Sequence, residues 1–406
     1  GPTNQEILGE INAKLEEDIN ATLEIRYIGW GEVATRYPLL FTAGESFDMS
    51  HASPNAPISY FTLAAQGALA DLTDSLDVVP ALRDEIPEEV WATTRYGGKI
   101  YGVPTLYSEY TPTGFVYMVD KQNEYGVDPV TDIDSFEAYN DAAVEAGDLP
   151  INGTSSEAID IYHMLIDTTD DWILAPGIPA DQLFLVGESV DNYEEIFHPA
   201  FTDEFMDHAK RVKEWADKGY WQTDILAAQI SDKDNFHNGQ AVSYMTHMAD
   251  WTGSYGTVQL QLDGAELDFW TFAEANGKIL RKAGVENSTV INYQSENVER
   301  ALMAIEKFMT EEDYYRLIQY GIEGKHYELV DGLAQQPEGF NPETDGGGFA
   351  VWSLRNDRFN IPYRSEDPRR YELIDEWNEV ALNNPYAGFS NDRDRKSGSA
   401  GMPRPI

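Results

Sequence analysis

Apolar residues fall at helical spacing over Glu6–Asp18, with Ile7, Leu8, Ile11, Leu15 and Ile19 on one face, and then alternate with polar ones from Ala21 to Ile28. The pattern predicts a helix feeding a strand, Trp30 at the carboxyl end of that strand, and a second helix over Val33–Phe41. A helix is expected over Tyr60–Ala70, followed by a solvated acidic face from Asp71 to Val90. Gly97-Gly98 read as a tight turn beside a short strand at Lys99–Tyr101, which ends over Gly102–Pro104 because Pro104 has no N–H to donate. Gly114–Val119 has strand composition. Further helices are expected over Asp132–Gly147, Ala158–Thr168, Asp203–Lys218, Asn297–Met309 and Tyr371–Leu382, with a strand at Ser288–Asn292. Phe236–Met245 reads as helix, turn and strand, and His247–Trp251 opens the next element.

This alternation predicts an α/β chain. At 406 residues with 42% hydrophobic composition, it can fill two domain-sized cores. Thr105–Thr113 is short, rich in tyrosine and hydroxyls, and flanked by proline, as a bridge between two lobes would be. In open α/β sheets ligands bind beyond the carboxyl ends of strands, which places Trp30 and a loop at His51–Asn55 on the functional edge.

The balance of 71 acidic against 28 basic residues gives a net charge of −43, which repels phosphate backbones and anionic headgroups, so nucleic acid is excluded as a partner. There is no cysteine, hence no disulfide and no thiolate chemistry, as suits an exported bacterial protein that does not rely on disulfides. No apolar run reaches the roughly 18–20 residues of a membrane span. Gly1-Pro2 looks like a protease-cleavage remnant, so a signal peptide and lipid anchor are expected to lie outside this sequence. Asp232–Asn235 lacks the glycine and closing glutamate of a calcium loop and reads as a charged helix start; no metal or cofactor is expected. G-x-S-x-G, H-E-x-x-H and P-loop patterns are missing.

Several stretches resemble the extracellular solute-binding proteins (family 1, lipoprotein-like subgroup) of bacterial carbohydrate ABC importers. They are the K-I-Y-G-V-P turn at Lys99–Pro104, V-Y-M-V-D-K at Val116–Lys121, Gln66–Leu72, and above all Y-G-I-E-G-x-H-Y at Tyr320–Tyr327. The resemblance implies a two-lobed periplasmic-binding-protein-like fold of type II, hinged by several crossing segments. It implies lobe 1 over 1–112, lobe 2 over 113–286, a return to lobe 1 over 287–326, completion of lobe 2 and the hinge over 327–390, and a flexible tail or engineered linker over 391–406. It also implies a Gram-positive, lipid-anchored extracellular monomer that hands an oligosaccharide to permease subunits. The family normally has a strand before the first helix and further helices after the P-Y-A-G-F segment at Pro385–Phe389.

Sugar recognition needs flat apolar faces for pyranose C–H groups and planar polar groups for hydroxyls. The chain has nine tryptophans and 23 tyrosines. Phe236–Met245 resembles a family strand that delivers a tryptophan to the cleft, a position matched by Trp251. The expected binding set is Trp30, His51, Ser53 and Asn55 from lobe 1, Tyr107 and Glu109 from the bridge, and His247, Asp250, Trp251, Trp352, Arg355 and Asn356 from lobe 2. Trp30 reads equally well as a core residue, as does Trp352; Trp91, Trp172 and Trp215 are expected to be structural. The alternative is a glycoside hydrolase using a carboxylate pair such as Glu109 with Asp250, although 71 carboxylates produce such pairs by chance.

Overall fold

The computed structural model describes residues 2–42, 44, 46–54, 59–110, 112–152, 158–169, 171–175, 185–227, 230–262, 265–345, 349 and 351–387. The strands that matter below are β1 (Met49–Ala52), β2 (Gly102–Pro104), β3 (Thr113–Met118), β4 (Ser243–His247), β5 (Leu267–Thr271) and β6 (Ser288–Ile291). The helices are α1 (Pro2–Ile19), α2 (Trp30–Thr42), α3 (Ile133–Ala146), α4 (Ala158–Thr168), α5 (Asp203–Lys218), α6 (Met248–Gln261), α7 (Val298–Thr310), α8 (Glu312–Gln319) and α9 (Arg369–Val380).

Lobe 1 is built on the sheet β1-β6-β2, with both pairings antiparallel. Its core joins Ile7, Ile11 and Leu15 of α1 to Leu302, Ile305 and Phe308 of α7, and Ile291 of β6 packs into the same cluster. Lobe 2 is built on β5-β3-β4, also antiparallel throughout. Its middle strand β3 is buried on both faces: Phe115 and Tyr117 pack toward α3 and α5, while Val116 and Met118 pack toward α6 and α9. That double burial explains the unbroken apolar run of its sequence.

Among the described residues, three segments pass between the lobes. The first, after β2, runs beside the second, before β6: Thr105 N–H donates to the Gly284 carbonyl at 3.2 Å, and Lys282 N–H to the Glu109 carbonyl at 2.8 Å. Leu106 also bridges to Asn356. The third leaves lobe 1 after Ile361, which packs with Tyr315 and Tyr320, and reaches lobe 2 at α9.

The local chemistry accounts for most element ends. Asp132 caps α3 in a capping box and Gly147 closes it in the left-handed region. The α5 cap is Thr202, whose side chain accepts from the Phe205 N–H. Gly97 and Gly98 both have positive φ, as a two-residue hairpin turn requires. The Tyr320–Tyr327 motif is a structural turn. Gly321 has φ +86°, a Cβ there would lie 3.0 Å from the His326 ring, and His326 Nδ1 accepts the Ile322 N–H at 3.0 Å.

Four expectations need correction. Residues 20–29 form no strand: Asn20 turns the chain in the left-handed region at φ 51° and the rest pair with no ladder. Leu23 instead exchanges both backbone hydrogen bonds with the Asn12 side chain of α1, at 2.6 and 3.0 Å. Trp30 consequently opens a helix instead of ending a strand. His51 lies within β1, opposite Thr289, and because the sheets are antiparallel the carboxyl-end rule does not place the site. Residues 327–363 pack on lobe 1 through Tyr327, Ala334 and Ile361, so only the part from α9 onward completes lobe 2.

Candidate functional site

Where the crossings meet lobe 1, side chains from distant parts of the sequence converge. Glu109 comes from the first crossing, Asn287 from the turn before β6, His51 from β1, and Trp352 and Arg355 from a 3-10 turn and its exit. Arg355 Nη2 donates to Glu109 Oε1 at 2.9 Å, and Asn287 Nδ2 donates to Glu109 Oε2 at 2.7 Å. His51 Nε2 lies 3.1 Å from Asn287 Oδ1. The Trp352 indole stands edge-to-face with the His51 ring at 6.2 Å, and the residue is 42% exposed.

The Arg355 guanidinium also lies 3.8 Å from the centre of the Tyr107 ring, a cation–π geometry, and Arg370 of α9 donates to the Tyr107 hydroxyl. A connected polar chain therefore runs from the lobe 1 sheet through two crossings to α9 of lobe 2.

Burial pushes the Glu109 carboxyl up, but the charges of Lys282 and Arg355, with the hydrogen bonds from Arg355 and Asn287, outweigh it and hold the group below its ordinary range. Burial, with the nearby Arg355 charge, holds His51 below its usual value against the opposing pull of Asn287 and Glu109. Glu109 is thus a stable anion and His51 a neutral ring near pH 7.

The remaining expected residues are dispersed. His247 ends β4 exposed, opposite Thr113 where the first crossing enters lobe 2. Ser53 is half-buried after β1, and its carbonyl accepts the Tyr60 N–H at 2.6 Å. Asp250 is occupied inside lobe 2 by Lys233 and by Thr246 Oγ1 at 3.0 Å. Trp251 was expected as a stacking platform, but it is fully buried in lobe 2 and stacked on Phe269 at 5.1 Å, so no ligand reaches its face. Asn356 is 3% exposed and spends its amide on Glu85 and the Met309 carbonyl, a structural role in lobe 1. Trp352, Arg355 and Asn356, assigned to lobe 2, all sit on lobe 1. The Trp30 side chain and Asn55 lie outside the described residues.

Sequence reasoning missed Asn287, Lys282 and Arg370. The strand was read as starting at Ser288, which left Asn287 as an unremarkable turn residue, and Arg370 looked like an ordinary helical charge. The hydrolase reading gains no support, because Glu109 is held by Arg355 and Asn287 at the crossings while Asp250 is held by Lys233 and Thr246 inside lobe 2, so the two do not flank a common site.

Among known proteins, a carbohydrate ABC transporter substrate-binding protein from Streptococcus pneumoniae serotype 4 (strain ATCC BAA-334 / TIGR4) is 24% identical over 403 residues, covering 95% of this chain and 75% of that protein. The N-glycan transport solute binding protein NgtS from Streptococcus pneumoniae superposes with a TM-score of 0.77 at 20% identity, covering 97% of this chain and 83% of that one. An ABC substrate-binding protein from Listeria monocytogenes in complex with cycloalternan superposes with a TM-score of 0.57 at 13% identity, covering 94% and 86%. These likenesses give the chain the two-lobed type II fold of sugar-binding proteins. Residues 10–318 match the model of the bacterial extracellular solute-binding proteins, and the chain belongs to that family.

Proposed function

We propose that the protein captures an oligosaccharide between its lobes, outside the cell, and delivers it to the permease subunits of an ABC importer. The reading is carried by Trp352, a 42% exposed tryptophan set edge-to-face against His51 at the lobe 1 side of the crossings. The 24%-identical relative that spans 95% of this chain carries a carbohydrate-transport name, and NgtS was crystallised with Man1GlcNAc and with Man5GlcNAc. Trp352 stacks on the C–H face of a sugar ring. Ser53 and His51 from lobe 1 and His247 from lobe 2 supply hydroxyl partners on the two sides. Tyr107 and Arg355 form the floor. The protein works as a monomer without a catalytic residue, because hinge closure is what the importer reads. Among the described residues no helix is long and apolar enough to cross a membrane, and a lipid anchor outside this sequence would hold it at the cell surface.

Calorimetric titration against a panel of mannose-, glucosamine- and glucose-containing oligosaccharides tests this, with chromatography of the same mixtures after overnight incubation. Saturable binding of sugar that is recovered intact is the expected result. Trp352→Ala is expected to weaken the best ligand by about 10- to 100-fold, the range of a buried aromatic hot spot; unchanged affinity would remove Trp352 from the site.

A further inference from the structure

Glu109 touches none of the exposed aromatic surface, yet two chains of contacts lead from its carboxylate to Trp352. Along one, Oε1 accepts from Arg355 Nη2 at 2.9 Å, and Arg355 Nε donates to the Trp352 carbonyl at 3.2 Å. Along the other, Oε2 accepts from Asn287 Nδ2 at 2.7 Å, Asn287 Oδ1 meets His51 Nε2 at 3.1 Å, and the His51 ring meets the indole edge-to-face. One arm fixes the backbone of the turn that carries Trp352, and the other braces its ring.

The direction of each bond follows from the anion. A carboxylate can only accept, so the Asn287 amide must turn its nitrogen to Glu109 and its oxygen to His51. His51 Nε2 must then carry the proton. The Arg355 and Glu109 side chains are only 17% and 16% exposed, so water and salt screen the pair little. Two residues before Glu109, Tyr107 is held between Arg355 and Arg370 of the lobe 2 helix α9.

We propose that Glu109 is a positioning residue: it sets the orientation of the Trp352 ring from both sides and ties that orientation to the first interlobe crossing. The proposal rests on the reading of Trp352 as a sugar platform. When the lobes rotate, the crossing that carries Glu109 bends, and both arms pull on the ring. The site then has one ring orientation when open and another when closed.

The first test uses no sugar. Acrylamide quenching is measured for wild type, Glu109→Gln and Asn287→Ala, each paired with a companion that also carries Trp352→Phe, so that the difference isolates Trp352. A larger quenching constant for Trp352 in both variants is expected; values equal to wild type would overturn the proposal. The second test is a double-mutant cycle on the best oligosaccharide. Glu109→Gln should weaken binding by about tenfold when Trp352 is present and by less than about twofold when residue 352 is alanine. Equal losses in the two backgrounds would show that Glu109 acts independently and would also overturn the proposal. Asn287→Ala leaves the Arg355 pair intact and repeats the cycle on one arm if Glu109→Gln proves poorly folded. Failure of wild type to bind any sugar would sink the transport reading, while the quenching result would still decide whether the ring is held.

Discussion

Asp167 is a residue whose charge works against the fold. The residue as a whole is half-buried, but its carboxyl lies inside lobe 2 and accepts from the backbone N–H and hydroxyl of Thr113, at 3.2 and 3.3 Å. Burial pushes its pKa up to about 6, against the opposing pull of His163, Lys278 and the Thr113 hydrogen bonds. A carboxyl raised in the folded state favours folding while it is protonated. That contribution is complete below the unfolded value near 4 and is lost as pH rises through about 6, a change on the order of 2–3 kcal/mol. Asp167→Asn, which keeps an acceptor for Thr113, is therefore expected to gain more stability over wild type at pH 8 than at pH 4; urea unfolding at both pH values measures this. The two tryptophans make a contrast at the same scale. Trp251→Ala should cost about 3–5 kcal/mol of stability by opening a cavity against Phe269, whereas Trp352→Ala should leave the unfolding midpoint nearly unchanged while sugar affinity falls. Sequence could not separate them, because both precede polar residues near a turn. Which one meets solvent is decided by tertiary packing: Trp251 stacks on Phe269 of β5, in a cluster that also takes in Leu373 and Trp377 of α9, more than 100 positions further along the chain.

Among the elements, the long helices were legible from their apolar periodicity: α4 and α5 occupy the ranges read from pattern alone, and α7 lies within a residue of it. The failures came where a side chain took over a backbone partner, as Asn12 does for Leu23, since alternation reports burial and not the presence of a neighbouring strand. The site was partly legible. Glu109, His51, Trp352 and Arg355 were named, but their joining through Asn287 depends on strand register, which the pattern does not encode. Strand packing gives its own prediction. A Cβ at Gly114 of β3 would stand 2.3 Å from the Phe269 ring and 2.7 Å from the Trp270 carbonyl. Gly114→Ala should thus force β5 away and cost about 1–3 kcal/mol, visible as a lower urea midpoint. Helix α9 binds lobe 2 through Leu373 and Trp377, the latter edge-to-face with Tyr110 of the first crossing at 5.0 Å.

For the molecule as a whole, three crossings linked by Glu109, Arg355 and Tyr107 make the hinge a tied bundle of segments, so closure is expected as one concerted rotation. Small-angle scattering should show a smaller radius of gyration on saturation with the best sugar, with a single two-state series of curves during titration; a gradual, multi-state series would count against a tied hinge. The net charge of −43 also makes high salt stabilising at this scale, by relieving self-repulsion. The strand order has one more consequence. In lobe 1 the middle strand β6 comes last of its three, and in lobe 2 the core waits for α9. A chain leaving the ribosome from its amino end thus has β6 out before lobe 1 can finish and α9 out before lobe 2 can. Until then β1 and β2 have no strand between them, and the lobe 2 cluster lacks Leu373 and Trp377. The polypeptide is born unable to fold early, which keeps it threadable for much of its synthesis and exposes it to aggregation for as long.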